Sequence, residues 1–166
     1  MAPPPVQSGR DQSDRAGSRL RADSRLRAGF RTAGRLLLGG FLVLAGVSHL
    51  WWSREAFYAQ VPAWLPLDRD FVVVASGLVE IALGLSLLLL RRWRAAIGWI
   101  VAAFFVAVFP GNIAQFATGT DSFGLNSDLS RGIRLLFQPL LVLWALWSSG
   151  AWRAWRENRT SGRQHG

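Results

Sequence analysis

The feature that most constrains this chain is an unbroken apolar run from Phe71 to Leu90, FVVVASGLVEIALGLSLLLL, with a single carboxylate, Glu80, at its centre. A helix of this length measures about 30 Å, which matches the hydrocarbon thickness of a bilayer. A carboxylate at such a depth costs about 2.5–3.5 kcal/mol on insertion, so it is rarely kept without a polar partner. The run therefore predicts an integral membrane protein with a buried polar site around Glu80.

Three further apolar runs resemble the first: Leu36–Trp52, Ala95–Ala117 and Ile133–Ser149. Four runs of this length predict an all-α fold, a bundle of four transmembrane helices. We expect these helices over residues 33–52, 71–90, 95–117 and 133–150, within one membrane domain that covers 33–150. Residues 1–32 are rich in Pro, Ser, Arg and Asp and should form a disordered tail. Residues 151–166 should form a basic C-terminal tail.

The arginines predict the orientation of the bundle. The chain has 19 basic residues, all arginine, and a net charge of +9. Fifteen of these arginines lie in residues 1–35, 91–94 and 153–163, in alternate segments between the apolar runs. Because arginine is enriched on the cytoplasmic side, both termini should be cytoplasmic. Topology accounts for the charge better than nucleic-acid binding does, so we expect the partner to be the lipid bilayer of a bacterial plasma membrane.

The chain contains no cysteine. This excludes a disulfide framework, a thiolate metal site and a dithiol relay made by this chain alone. One histidine and one glutamate within the apolar runs are too few for a zinc site, so we expect neither a metal nor a covalently bound cofactor.

Polar side chains gather in the half of the bundle that this orientation makes the outer one. The predicted polar cavity comprises His49, Glu80, Asn112, Gln115, Arg134 and Gln138. Helical spacing places Asn112 with Gln115, and Arg134 with Gln138, on one face each. Pro110 and Pro139 each remove a backbone donor nearby. The inner half shows almost no polar side chain except Ser86, and the candidate catalytic residues are Glu80 and His49.

Small residues and the first long loop complete this prediction. Gly77 and Gly84 flank Glu80 on its own helix face and allow a neighbouring helix to approach closely. The loop of residues 53–70 contains FYAQVPAWLPLDRD, which is too short to span. It either lies on the outer surface or folds over the mouth of the cavity.

Each polar residue also has a structural interpretation. Glu80 could pair with Arg134 as a clamp, and His49 could be a solvated or capping histidine. Asn112 and Gln115 could hydrogen-bond across helices, a contact typically worth about 0.6 kcal/mol.

The order of these motifs resembles the DoxX family of small four-helix membrane proteins. The matching features are a histidine closing helix one, then F-x3-VPxWLP, SGLxEIxLGL, AxFPxNI and a last helix that opens RLLFQPLLxLWALW. They correspond to His49, Phe57, Val61–Pro66, Ser76–Leu85, Ala107–Ile113 and Arg134–Trp147, within residues 33–150. The family often has a proline soon after the histidine, where this chain has Trp51-Trp52-Ser53-Arg54.

The resemblance implies a redox-accessory or lipophilic small-molecule-binding subunit, since relatives are associated with sulfur or thiol oxidation and with electron transfer to quinone. It implies a quinone as possible ligand and a membrane or periplasmic redox partner, and its recurrent polar positions match His49, Glu80, Asn112, Arg134 and Gln138. Two alternatives stay open: a structural or assembly subunit whose polar residues lock the bundle, and a small transporter. The sequence decides neither the substrate nor the oligomeric state.

Overall fold

A computed structural model of the chain describes residues 8–119 and 128–162, with side chains for 17–119, 132–133 and 135–160. Throughout these residues the regular structure is helical, which confirms the all-α prediction for them. The helices are α1 (Ser8–Leu50), α2 (Arg54–Phe57), α3 (Arg69–Leu89), α4 (Arg94–Thr118), α5 (Asp128–Ser149) and α6 (Ala151–Gly162). Short 3₁₀ turns at Tyr58–Gln60 and Arg91–Trp93 follow α2 and α3.

The N-terminal tail differs from its prediction where the structure describes it. α1 begins at Ser8, so residues 8–32, expected to be disordered, continue the first apolar helix without a break. The side chains of residues 18–30 are all exposed, so tertiary packing does not hold this part. Its alanines, leucines and arginines are strong helix formers and no proline interrupts it, which is why it extends a helix already nucleated by packing.

Two of the central helices have recognisable capping signals, α3 at its start and α4 at its end. Asp68 accepts a hydrogen bond from the amide of Phe71 at 2.9 Å and caps the start of α3. Gly119, with φ of 65°, ends α4 in the left-handed conformation that glycine adopts without strain. Pro110 and Pro139 lie inside α4 and α5, and both helices continue through them.

The helices pack as two close pairs, α1 with α3 and α4 with α5, and α1 also contacts α5. The core between them is apolar and includes Leu38, Leu42, Leu87, Val101, Phe105 and Ala145. Most other apolar side chains point outward; only 22% of the apolar stretch of Arg69–Leu89 is buried. A water-soluble bundle would hide most of these side chains, so the exposed surface is compatible with helices that lie in a membrane.

Three helices are long and apolar enough to cross a membrane: Gly17–Leu50, Arg69–Leu89 and Arg91–Thr118. A fourth crossing is reached if Leu135–Ser149 and Ala151–Thr160 are taken as one span, which bends by 64°. The bend is at Gly150, whose φ is 76°. The end of the bundle that carries residues 51–68 is called the cap end, and residues 51–68 the cap segment. The opposite end, with residues 90–93 and α6, is called the base end.

Candidate functional site

Glycines let α1 and α3 approach closely enough to bring His49 and Glu80 together. A Cβ on Gly77 would lie 2.7 Å from the Cβ of His49, and one on Gly84 would lie 2.6 Å from the carbonyl oxygen of Gly39. Likewise a Cβ on Gly46 would overlap the carbonyl of Gly77. The two pairs, Gly39 with Gly84 and Gly46 with Gly77, are seven residues apart on each helix, which is two turns. The predicted close approach at Gly77 and Gly84 is therefore seen, and the approaching helix is α1.

His49 and Glu80 form a buried pair at the cap end of this contact. Nδ1 of His49 lies 3.3 Å from Oε2 of Glu80, and the two side chains are 9% and 12% exposed. The same Nδ1 is 2.8 Å from the carbonyl oxygen of Ala45, which can only accept, so Nδ1 carries a hydrogen directed at that oxygen. Oε2 of Glu80 consequently lies within ion-pair distance of His49 yet accepts no hydrogen bond among the described residues.

The ring of His49 is held in place by an aromatic side chain from the cap segment. Phe57 stacks on it with ring centroids 3.4 Å apart and planes inclined by 16°. This contact covers the imidazole, and the whole residue His49 is only 7% exposed. His49 is therefore buried, unlike the solvated histidine that the sequence left open.

Two amide side chains link α4 to α5 across the cavity. Asn112 donates from Nδ2 to Oε1 of Gln138 at 2.9 Å, and Gln138 donates from Nε2 to the carbonyl oxygen of Phe105 at 2.7 Å. Pro110 lacks the amide hydrogen that would bond the carbonyl of Val106, the neighbour of Phe105. The glutamine thus donates to the carbonyl next to the one that the proline leaves without its helical donor.

The cap segment folds over this end of the bundle, which is one of the two placements that the sequence left open. A Cβ on Gly111 would overlap the carbonyl oxygen of Gln60, so the 3₁₀ turn rests directly on α4. Gln60 Nε2 is buried with no hydrogen-bond partner among the described residues, as is Asn112 Oδ1. Buried polar atoms of this kind are rare unless something else binds them.

A polar network anchors the cap segment to the start of α3. Arg54 donates two hydrogen bonds to the carboxylate of Asp70, and Tyr58 donates from its hydroxyl to Oδ1 of Asp70 at 2.6 Å. The hydrogen bond to Asp70 is the main reason that the pKa of Arg54 and the pKa of Tyr58 are both raised above their usual values. The segment is therefore fastened at both Arg54 and Tyr58.

These elements line an open cavity of about 1000 Å³. Its walls are mostly aromatic and aliphatic, with Phe41, Leu44, Trp52, Phe137 and Trp144 among the lining residues. Its polar lining consists of Ser48, Ser53, Gln60, Glu80, Asn112 and Gln138. An apolar volume of this size with a few polar groups on one side is the usual form of a site for a small lipophilic molecule.

The predicted site residues are only partly brought together. Glu80, Asn112 and Gln138 line the cavity. His49 does not line it but contacts Glu80. Gln115 is buried at 2% exposure on α4 but does not line the cavity. The side chain of Arg134 lies outside the described residues, so the Glu80–Arg134 clamp stays a prediction.

Sequence reasoning missed Gln60 at the cap end and several polar residues at the base end. Gln60 stands beside Val61-Pro62 in a connection, where neither depth nor helical periodicity marks it. The expectation of a base half with almost no polar side chain except Ser86 was wrong. Arg35, Ser148 and Ser149 are buried there, at 5%, 4% and 1% exposure. Arg35 donates to the carbonyl oxygen of Leu87, one of the last carbonyls of α3, which has no partner within its own helix.

No cluster of three or more histidine, aspartate or glutamate side chains that could hold a metal ion occurs in the part of the chain that the structure describes. No curated protein and no solved structure matches the chain. A family model, the domain of unknown function DUF8561, matches residues 38–149, from the buried part of α1 to the end of α5. That range holds both helix pairs and the whole cap-end cavity, and the chain belongs to the DUF8561 family.

Proposed function

We propose that this protein is a DoxX-like membrane subunit that crosses the bacterial plasma membrane four times and has both termini in the cytoplasm. Three apolar helices and the bent pair of α5 and α6 support four crossings. In this arrangement α5 crosses and α6 lies along the membrane surface, where Trp152 and Trp155 suit the interface. The arginines of the base end support a cytoplasmic position for that end.

Cysteine labelling tests this orientation, because the natural chain has no cysteine to interfere. Ala63 and Thr160 are exposed at the cap and base ends, and each is replaced singly by cysteine. A membrane-impermeant maleimide added to intact cells should label Ala63→Cys, and should label Thr160→Cys only after the membrane is permeabilised. The reverse pattern would refute the orientation.

We further propose that the cap-end cavity binds a lipophilic small molecule with a polar ring, such as a quinone. The observation that carries this proposal is that three residues around one apolar cavity each have a buried polar atom that makes no hydrogen bond among the described residues. Gln60 Nε2, Glu80 Oε2 and Asn112 Oδ1 all belong to its lining residues and lack hydrogen-bond partners among the described residues. A quinol can satisfy them, because its hydroxyls donate to the two oxygens and accept from the Gln60 amide. A quinone only accepts and can pair with the Gln60 amide alone, and an apolar lipid tail pairs with none of them.

In a redox-accessory role, the chain would bind the quinone while a partner supplies electrons. Reduction of a quinone to a quinol takes up two electrons and two protons. Glu80 and His49 are the groups that can pass protons, and Arg134 is the predicted fixed charge. Because the chain has no cysteine, any thiol chemistry belongs to the substrate or to a membrane or periplasmic partner.

Fluorescence quenching by a short-chain quinone tests the ligand. Trp52 and Trp144 line the cavity, so a bound quinone should quench part of the tryptophan emission of the purified protein. Glu80→Gln should weaken binding of the quinol form about tenfold, because the quinol hydroxyl donates a hydrogen bond to the charged carboxylate, which a quinone carbonyl cannot do. Glu55→Gln removes an exposed carboxylate of the same cap end and should leave binding unchanged. Equal affinities of the wild type and Glu80→Gln would remove Glu80 from the site.

The second candidate function is a structural or assembly subunit. The bonds from Asn112 to Gln138 and from Gln138 to Phe105 favour it, since they join α4 to α5 without any ligand. This function predicts that Glu80→Gln and Arg134→Met each lower thermal stability in detergent, and that the double variant recovers much of the loss. Additive losses would contradict a Glu80–Arg134 clamp.

A further inference from the structure

A second cavity, of about 710 Å³, lies at the base end between α1, the start of α4 and the junction of α5 with α6. Arginines dominate its lining, from three separate parts of the chain. They are Arg27, Arg31, Arg35, Arg91, Arg94 and Arg153. Among the described residues, the lining contains no aspartate or glutamate. Six cations around one volume, without a carboxylate among them, form a site for an anion.

These arginines surround one cavity, so their positive charges lie close in space and repel one another. Glu157 is the nearby carboxylate, and it pairs with Arg153 at 3.6 Å on the exposed surface. One exposed carboxylate cannot balance the cluster, so a bound anion would relieve the repulsion.

A buried hydroxyl in the same cavity is an independent sign of a ligand. Ser148 is 4% exposed, and its Oγ has no hydrogen-bond partner among the described residues. Its neighbour Ser149 instead donates to the carbonyl oxygen of Ala145 at 2.6 Å. The backbone could therefore satisfy a serine in this part of α5, yet Ser148 lines the cavity with its hydroxyl unused. A phosphate oxygen would accept its hydrogen.

The place of the cavity in the fold selects the kind of anion. Arg35 comes one residue before the apolar part of α1, and Arg91 two residues after α3 ends. These are the levels at which lipid headgroups meet helices that cross a membrane. Phe30 and Trp147 also belong to the lining and are 68% and 48% exposed, which provides apolar surface for the start of an acyl chain.

We propose that this cavity binds the phosphodiester headgroup of an anionic phospholipid. The arginine guanidinium groups bind the phosphate oxygens, as guanidinium geometry favours, and the Ser148 hydroxyl donates to one of them. The site is separate from the cap-end cavity, shares no lining residue with it, and does not depend on what that cavity binds.

Native mass spectrometry of the full chain in neutral detergent tests the proposal, with phosphatidylglycerol and phosphatidylcholine of identical acyl chains as probes. Phosphatidylglycerol should bind at least about tenfold more tightly. The double variant Arg31→Gln/Arg94→Gln should weaken it about 25-fold, which is about fivefold for each arginine near a headgroup. It leaves Arg35, which also bonds α3, in place.

Two matched variants separate a built site from diffuse surface charge. Arg92→Gln removes an exposed arginine of the same end that does not line the cavity, and phosphatidylglycerol affinity should not change. Ser148→Ala should weaken the lipid about threefold without lowering the melting temperature of the lipid-free protein, because the hydroxyl bonds nothing there. Equal losses for Arg92→Gln and for the double variant Arg31→Gln/Arg94→Gln would overturn the proposal.

Soluble competitors decide the source of the phosphate. Glycerol 3-phosphate and inorganic phosphate at millimolar concentration should displace little phosphatidylglycerol, because they lack acyl chains. If either one displaces the lipid fully and stabilises the protein equally well, the ligand is a free phosphate, and the lipid proposal fails.

Discussion

The two ends of the bundle enclose cavities of similar size that differ in almost every chemical respect. The cap-end cavity has apolar walls, neutral amides and one carboxylate, Glu80. The base-end cavity has six arginines and one unused hydroxyl, that of Ser148. Both are built from α1, α4 and α5, so the helices themselves do not decide what each one binds.

The difference shows that burial and charge favour different kinds of ligand. At the cap end the polar groups of the cavity are buried or partly buried, and Glu80 contacts the buried His49. At the base end most arginines are exposed, and only Arg35 is buried, because a helix-end carbonyl satisfies it. A buried site of few polar groups selects its ligand by shape and hydrogen bonds, whereas an exposed cationic site selects it by charge.

The largest effect should come from the glycine contact on which both cavities depend. Gly46→Ala places a Cβ against the carbonyl of Gly77, which cannot move aside, so we expect a loss of about 3 kcal/mol. Gly40→Ala is the control on the same helix, with no atom near its Cβ, and should be neutral or stabilising by up to about 1 kcal/mol. Unfolding by a denaturing detergent measures both. Similar stability of the two variants would contradict the observed helix contact.

A smaller effect, confined to the cap end, is expected for Gln138→Leu. It removes the hydrogen bonds that Gln138 makes with the Asn112 amide and with the carbonyl of Phe105, which should cost about 2 kcal/mol. Leu136→Ala, at an exposed apolar position of the same helix, should cost much less. If binding of phosphatidylglycerol at the base end weakens as well, the two ends are coupled and the comparison between them must be revised.

The serine pair at the base end should respond unequally to the same substitution. Ser149→Ala removes the bond to Ala145 and the acceptor for the amide of Ala151, so it should lower stability by about 1 kcal/mol. Ser148→Ala removes no bond and should change stability by less than about 0.5 kcal/mol. Thermal unfolding in lipid-free detergent compares them. A larger loss for Ser148→Ala would mean that its hydroxyl has a structural partner.

The smallest expected effect is a titration at the cap end. Tyr58 is the chain's one tyrosine, so ultraviolet absorbance reports tyrosinate at this position alone. Its pKa is raised mainly by its hydrogen bond to Asp70, and Asp70→Asn should bring it back toward the ordinary value of about 10. The hydrogen bond raises the pKa of Tyr58 only in the folded state. The stability that it contributes is therefore fully present below about pH 10 and is lost as the pH rises through the pKa of the folded state. A tyrosinate midpoint that Asp70→Asn leaves in place would contradict the network.

The sequence predicted the features that depend on local composition. Apolar runs and their lengths located the central helices, because a segment in lipid must satisfy its own backbone. Glu80, with Gly77 and Gly84 on its helix face, marked a close helix contact near a polar group. These conclusions needed only spacing along one helix.

Other features depend on distant parts of the chain and could not be read from spacing. Gln60 lies in a connection, and its burial follows from the fit of its backbone against Gly111. Arg35 looks like one more basic residue of the N-terminal segment until α3 ends beside it. The helical start of α1 was missed because a prediction from composition asks whether a segment can bury enough apolar surface to fold. This segment needs no burial, since it extends a helix that packing has already nucleated.

The sequence by itself determined that this chain is helical, that its helices are too apolar for water, and that a few polar residues stand among them. Only the tertiary structure decided which of these residues meet. It separated Gln115 from the cap-end cavity, added Gln60 to it, and brought six arginines from three parts of the chain around the base-end cavity that Ser148 lines. The physical reason is that burial and charge density depend on which residues are neighbours in space. Those neighbours lie on different helices, and the periodicity of one helix does not show which helices it packs against.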